Sequence, residues 1–190
     1  MDSYRTFVAI ELPRAVRAKV IEHIEQLRRN VPDALASWSR EHNLHLTLKF
    51  LGNVPASAIP KLSDAIARAV SGVKPFELTV AGGGVFPPRG KPNVLWIGVD
   101  DCERKLNELY NRVEDECASA GFPREQRSFH PHLTIARLRK PGNERRLAEV
   151  HQNFGFPPEM FPVSEVIVFK SELLREGSKH TPISRHALKN

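Results

Sequence analysis

His45-Leu46-Thr47-Leu48 recurs later in the chain as His132-Leu133-Thr134-Ile135, and these two stretches decide the fold. Each copy reads as one short strand, because successive strand side chains point to opposite faces. His45 and Thr47 then share one face above the apolar floor of Leu46 and Leu48, and His132 and Thr134 do the same above Leu133 and Ile135. A chain with eight histidines and five threonines carries about 0.2 His-x-Thr pairs by chance, so two pairs in matching apolar surroundings are a repeat. Facing copies gather two imidazoles and two hydroxyls around one pocket. One imidazole can take a proton and the other give one while the hydroxyls hold phosphate oxygens.

Working outward, the surroundings repeat too. Ahead of the first motif, Thr6 to Leu12 is a nearly continuous apolar run stopped by Pro13, which predicts a buried strand. A helix follows, with Val16, Val20, Ile24 and Leu27 as its stripe and His23 among the charges of its solvated side. Ahead of the second motif, Val94 to Val99 predicts the matching strand, and Leu106, Leu109, Val113 and Cys117 mark the matching helix. The order strand, helix, His-x-Thr strand at nearly equal spacing implies an internal duplication, with halves at about 1–92 and 93–190 of one domain. A helix over 55–70 and a strand over 76–80 complete the first half. A helix from about Asn143, a strand over 164–170, a turn near Gly177 and a strand over 183–188 complete the second. Gly82-Gly83-Gly84 through Pro92 lacks the spacing and the hydroxyl residue of a phosphate-binding loop, so it reads as the connection between halves.

Composition narrows the class of protein. The net charge of +6 and pI near 9.6 favour a polyanionic partner such as RNA or DNA. Cys102 and Cys117, placed on one helix, stand roughly 22 Å apart at helical rise and do not pair. With no signal-peptide core and no long apolar run, the chain reads as a cytoplasmic protein. Nothing demands an oligomer, so a monomer is expected.

The two His-x-Thr-x motifs, with Phe7 to Pro13 ahead of the first and Phe129-His130-Pro131 ahead of the second, resemble the 2H phosphoesterase superfamily. Within it the likeness is to the RNA 2′,3′-cyclic phosphodiesterases, also described as 2′-5′ RNA ligases. The resemblance implies an α+β fold of two pseudo-symmetric lobes, with antiparallel sheets lining a central cleft and helices outside. It implies cofactor-free, metal-independent hydrolysis of a terminal 2′,3′-cyclic phosphate to a 2′-phosphate, with RNA ends, tRNA fragments or short oligonucleotides as substrates and reversible 2′-5′ ligation as a companion reaction. His45 becomes the general acid, His132 the general base, and Thr47 and Thr134 the phosphate ligands. Arg137 matches a phosphate-binding arginine, although regular strand parity turns it away from His132 unless the strand bulges. His180 stands where an aromatic residue is expected.

Parity also gives Lys49 two readings, a cation facing the pocket or a solvated strand end. Trp96, whose parity opposes Leu95, Ile97 and Val99, is the best base-stacking candidate, ahead of Phe86 and Phe129. Two rival readings remain. Metal-assisted hydrolysis would recruit His130, His132 and His45 as ligands, but neither motif contains a carboxylate. A non-catalytic RNA-binding module would use the charge and the aromatics, yet it has no need of two His-Thr pairs.

Overall fold

The computed structural model describes residues 2–139, 143–174 and 177–189. Nine strands and four helices follow one another among these residues as β1 (Ser3–Glu11), α1 (Arg14–Asn30), β2 (Ala36–Trp38), β3 (His45–Pro55), α2 (Ile59–Val70), β4 (Phe76–Phe86) and β5 (Val94–Asp100). Then come α3 (Lys105–Ser119), β6 (His132–Leu138), α4 (Glu144–Phe154), β7 (Glu159–Val163), β8 (Glu165–Leu174) and β9 (Gly177–Ala187). β8 pairs with β9 as far as Leu174 and Gly177, and the predicted turn near Gly177 falls partly on residues 175–176, which lie outside the described residues.

Two antiparallel sheets result, with strand orders β3-β1-β8-β9 and β2-β6-β5-β4-β7. Apolar residues from both sheets and all four helices form one core cluster, among them Ile10, Leu46, Leu62, Leu95, Leu109, Leu133 and Leu147. The two histidine strands, β3 and β6, lie against one another where the sheets meet.

The chain boundary near residue 92 does not separate the sheets. β4, from the first half, pairs with β5 in the second sheet, while β8, from the second half, pairs with β1 in the first. The helices cross in the same sense. α1 follows β1 but packs on α4, where His23 meets His151 and Phe156. α3 follows β5 but packs on α2 and β3. The expected halves therefore do not coincide with the two sheets, each of which takes strands from both sides of residue 92.

Three local expectations also change. His23 is buried at 5% exposure because α4 covers the side of α1 that sequence alone leaves to solvent. The triple glycine belongs to β4 rather than to a loop. There a Cβ on Gly83 would meet the His151 ring at 2.9 Å and one on Gly84 would overlap the Trp96 indole at 2.1 Å, so the strand needs glycine to admit both rings. Cys102 precedes α3 and is exposed, whereas Cys117 is buried within it, and both are free thiols.

Candidate active site

Along β3 the side chains begin in strict alternation: His45 and Thr47 are half-buried, and Leu46 and Leu48 are in the core. Along β6, His132 and Thr134 repeat the pattern over Leu133 and Ile135. The ladders then slip. Val8 pairs with Lys49 and Ala9 with Thr47, so Leu48 is an extra residue in β3. Leu95 pairs with Ala136 and Trp96 with Thr134, so Ile135 is the extra residue in β6. An extra residue reverses the parity of all that follows.

That shared slip decides two expected site residues. Lys49 turns inward, 3% exposed, and donates to the Glu114 carboxylate at 2.7 Å and the Pro123 carbonyl at 2.8 Å. It is a core ion pair, and the reading of Lys49 as a cation of the pocket is corrected. Arg137, turned inward by regular parity, instead comes to the face of His132 and is exposed. Its charge acts on the His132 ring, and among the described residues it makes no ion pair.

Both histidines are tethered alike. The Nδ1 of His45 lies 2.7 Å from the Asn43 carbonyl, and that of His132 lies 2.6 Å from the His130 carbonyl. A carbonyl only accepts, so Nδ1 carries the hydrogen in each ring and Nε2 is left free for chemistry. Burial pulls the His45 imidazole down from 6.5 to about 4, aided by His180 and opposed by the Asn43 carbonyl. Burial also lowers His132, opposed by the His130 carbonyl and reinforced by the His130 ring and Arg137. Near neutral pH both rings are therefore uncharged in the free protein, so an arriving anion meets two neutral imidazoles beside the Arg137 guanidinium.

Aromatic side chains fix the rings. His45 stacks on Phe7 at 4.7 Å between centroids, and Phe7 stacks on Phe169 at 5.2 Å. The His180 ring stands edge-on to both His45 and Phe7, at 5.3 and 4.9 Å, with its Nδ1 buried and unpartnered. His132 is flanked edge-on by Phe86 at 5.0 Å and, with its ring tilted, by Trp96 at 6.3 Å. Trp96 lies on the predicted face, but it is a half-buried wall behind His132 rather than a free-standing platform. Phe129 stacks on Tyr110 at 4.0 Å and serves packing.

Sequence reasoning missed Phe7 and Phe169, which sit in continuous apolar runs where neither face is marked. His180, noted at a place where an aromatic residue is expected, supplies a ring edge-on to His45. Of the remaining histidines, His186 binds the hydroxyls of Ser184 and Ser63. His151 has its Nε2 2.9 Å from the Trp96 carbonyl, which ties α4 to the strand behind His132. Among the described residues, no three or more His, Cys, Asp or Glu side chains gather as a metal site.

The profile of the 2′-5′ RNA ligase superfamily matches residues 13–173. The chain is 35% identical over 174 residues to an RNA 2′,3′-cyclic phosphodiesterase of Thermotoga maritima, a match covering 91% of this chain and 89% of the relative. It is 29% identical over 191 residues to an RNA 2′,3′-cyclic phosphodiesterase of Escherichia coli, covering 98% of each. Among solved structures, Escherichia coli LigT complexed with 3′-AMP matches with TM-score 0.76 at 28% identity over 100% of both chains. A Thermus thermophilus protein matches with TM-score 0.79 at 27% identity, covering 97% of each chain.

Proposed function

Because this chain belongs to the 2′-5′ RNA ligase superfamily, we propose that its paired histidines open the 2′,3′-cyclic phosphate at an RNA 3′ end, leaving a 2′-phosphate. It is an RNA 2′,3′-cyclic phosphodiesterase, a hydrolase like its relatives. The observation that carries the mechanism is the matched tether, which leaves one free Nε2 on each histidine strand.

The cyclic phosphate enters as a monoanion and settles against the Thr47 and Thr134 hydroxyls and the Arg137 guanidinium. Its charge raises the proton affinity of the neighbouring imidazoles, and His45 Nε2 takes up a proton from solvent. His132 Nε2 accepts a proton from water as the water oxygen bonds to phosphorus. The bond from phosphorus to the 3′ oxygen breaks, and His45 gives that oxygen its proton. The product is a 2′-phosphomonoester beside a 3′-hydroxyl, with the surplus proton on His132. A 5′-hydroxyl in place of water gives a 2′-5′ linkage by the same transfers. Phe7 and Trp96 hold the rings, and the half-buried Trp96 presents apolar surface to the terminal nucleoside.

A binding module alone has no use for two tethered, uncharged imidazoles. Short oligonucleotides or tRNA fragments are the expected substrates, handled by a monomer in the cytoplasm. The two unpaired cysteines fit a reducing compartment, and among the described residues no helix is long and apolar enough to cross a membrane.

The test is to incubate the protein, in excess chelator, with an RNA ending in a 2′,3′-cyclic phosphate and to identify the new end group. A 2′-phosphate is expected, with turnover reduced about 10²–10⁴-fold in each folded His45→Ala and His132→Ala variant. A 3′-phosphate reverses the leaving oxygen and overturns the pose. Near-normal turnover in either variant removes that histidine from the mechanism.

A further inference from the structure

We propose that the cleft face of β1 and β3 beyond Phe7 is a subsite for the second nucleotide of the RNA end, with Phe50 stacking on its base and Arg5 meeting its phosphate. The inference rests on the cyclic-phosphodiesterase reading and extends it.

β1 and β8 pair without a slip, so Arg5, Phe7 and Ala9 alternate onto one face, and Phe7 on that face stacks on His45. Across the other ladder Phe50 stands opposite Phe7. The guanidinium carbon of Arg5 lies 4.7 Å from the centre of the Phe50 ring. Phe50 is 48% exposed, although it follows directly on the buried Lys49. A lone exposed apolar residue needs no explanation, but this ring continues the aromatic row of Phe169, Phe7 and His45. Arg5 is exposed, and among the described residues it makes no ion pair. Its cross-strand neighbours, Asn53 on β3 and Ser171 on β8, are polar and uncharged. An aromatic face under a free cation is the combination that single-stranded nucleic acid recruits for base and backbone.

The duplication gives the direction. Phe50 is the fifth residue after His45, as Arg137 is after His132, and the shared slip brings both to the cleft. At equivalent places one motif offers a phosphate-binding cation and the other an aromatic ring. The terminal phosphate is therefore held on the β6 side, and the strand leaves over β3 and β1. Arg5 lies one two-residue step, about 7 Å, beyond Phe7, past the nucleotide under cleavage.

The experiment compares a 2′,3′-cyclic mononucleotide with a trinucleotide ending in 2′,3′-cyclic phosphate, using wild type, Phe50→Ala and Arg5→Gln. Loss of one stacked base corresponds to about 5–150-fold. Phe50→Ala is expected to raise the trinucleotide KM by at least about fivefold and to leave mononucleotide kcat/KM within about twofold. Arg5→Gln is expected to flatten the salt dependence of trinucleotide kcat/KM by about 0.7 in log–log slope. Equal losses on both substrates, or an unchanged trinucleotide KM, overturn the subsite. If wild type turns over neither substrate, the hydrolase reading fails. Trinucleotide binding to wild type and Phe50→Ala then decides the subsite alone, fivefold weaker binding supporting it and equal binding rejecting it.

Discussion

Replacing Lys49 with methionine should unfold the protein more easily and leave phosphate binding intact. The Lys49 and Glu114 side chains are 2% and 5% exposed and 2.7 Å apart. Deleting the cation strands a buried carboxylate, although the Glu125 backbone N–H still donates to its other oxygen at 3.0 Å. Breaking a buried pair costs about 3–5 kcal/mol, mostly because the surviving charge is uncompensated. For a chain of this size each kcal/mol moves Tm by about 2–4 °C, so Lys49→Met should lower Tm by roughly 6–20 °C. Glu114→Gln should cost a similar amount by stranding the ammonium on the Pro123 carbonyl. The double variant Lys49→Met/Glu114→Leu removes both charges and should recover much of the loss, because a buried pair is often no more stable than its apolar replacement. Thermal unfolding of the four proteins compares these losses, and cyclic-phosphate KM is measured on each below its transition. A Lys49→Met protein with wild-type Tm and a raised KM would refute the inward placement and return the lysine to the cleft.

In the proposed mechanism the productive form carries one proton on two imidazoles whose affinities burial lowers, so kcat/KM should rise as pH falls below 7. It should fall again once both rings are charged, giving a bell with its maximum between about pH 4 and 6.5; a maximum at pH 8 or above in initial-rate profiles would refute the assignment. His23 is held at about 4 in the folded protein, by burial first and His151 second, against 6.5 unfolded. Unfolding therefore takes up a proton between those values, and the His23 contribution is complete above pH 6.5 and lost as pH falls toward 4, by on the order of 3 kcal/mol. His23→Gln cannot titrate and should flatten this dependence; equal loss in both proteins between urea midpoints at pH 7 and 4.5 would sink the idea. In Gly84→Ala the new methyl would lie 2.1 Å from the Trp96 ring and must displace it, at about 1–3 kcal/mol for overpacking. Because that ring flanks His132, kcat should fall as well, and wild-type stability with wild-type kcat would show that the ring moves freely.

Helices and strands were legible where burial has one period. Val16, Val20, Ile24 and Leu27 mark α1 because its covered stripe recurs at the helical repeat, and all four are buried. Which sheet a strand joins is a different kind of information. β4 carries an apolar alternation and β8 a continuous apolar run that any sheet accepts, and only the pairing of β4 with its chain neighbour β5 and of β8 with the distant β1 assigns each to its sheet. The same crossing buries His23, since the surface that covers it comes from α4, 128 positions along the chain at His151. Gly82 to Gly84 read as part of a connection once the phosphate-loop spacing fails; Gly83 and Gly84 instead mark close approach by two rings that sequence spacing does not connect.

The site itself was legible up to the fourth residue of each motif and no further, and one device accounts for both the success and the failure. Strand parity holds from His45 to Leu48 and from His132 to Ile135, and there each ladder takes in one extra residue. Counting by twos beyond that point assigns Lys49 to the cleft and Arg137 to the core, and the bulge exchanges them. A bulge leaves no mark in Leu48 or Ile135, which are ordinary buried aliphatics. Its chemical trace lies one residue later, where Lys49 on one strand and Ala136 on the other occupy equivalent inward positions. A lysine is tolerated there only because α3 crosses over to place Glu114 within 2.7 Å. The next position then faces the cleft in both copies, arginine in one and phenylalanine in the other. The two motifs thus share the backbone that aims two imidazoles, while the second residue after each bulge puts an arginine on one side of the cleft and a phenylalanine on the other.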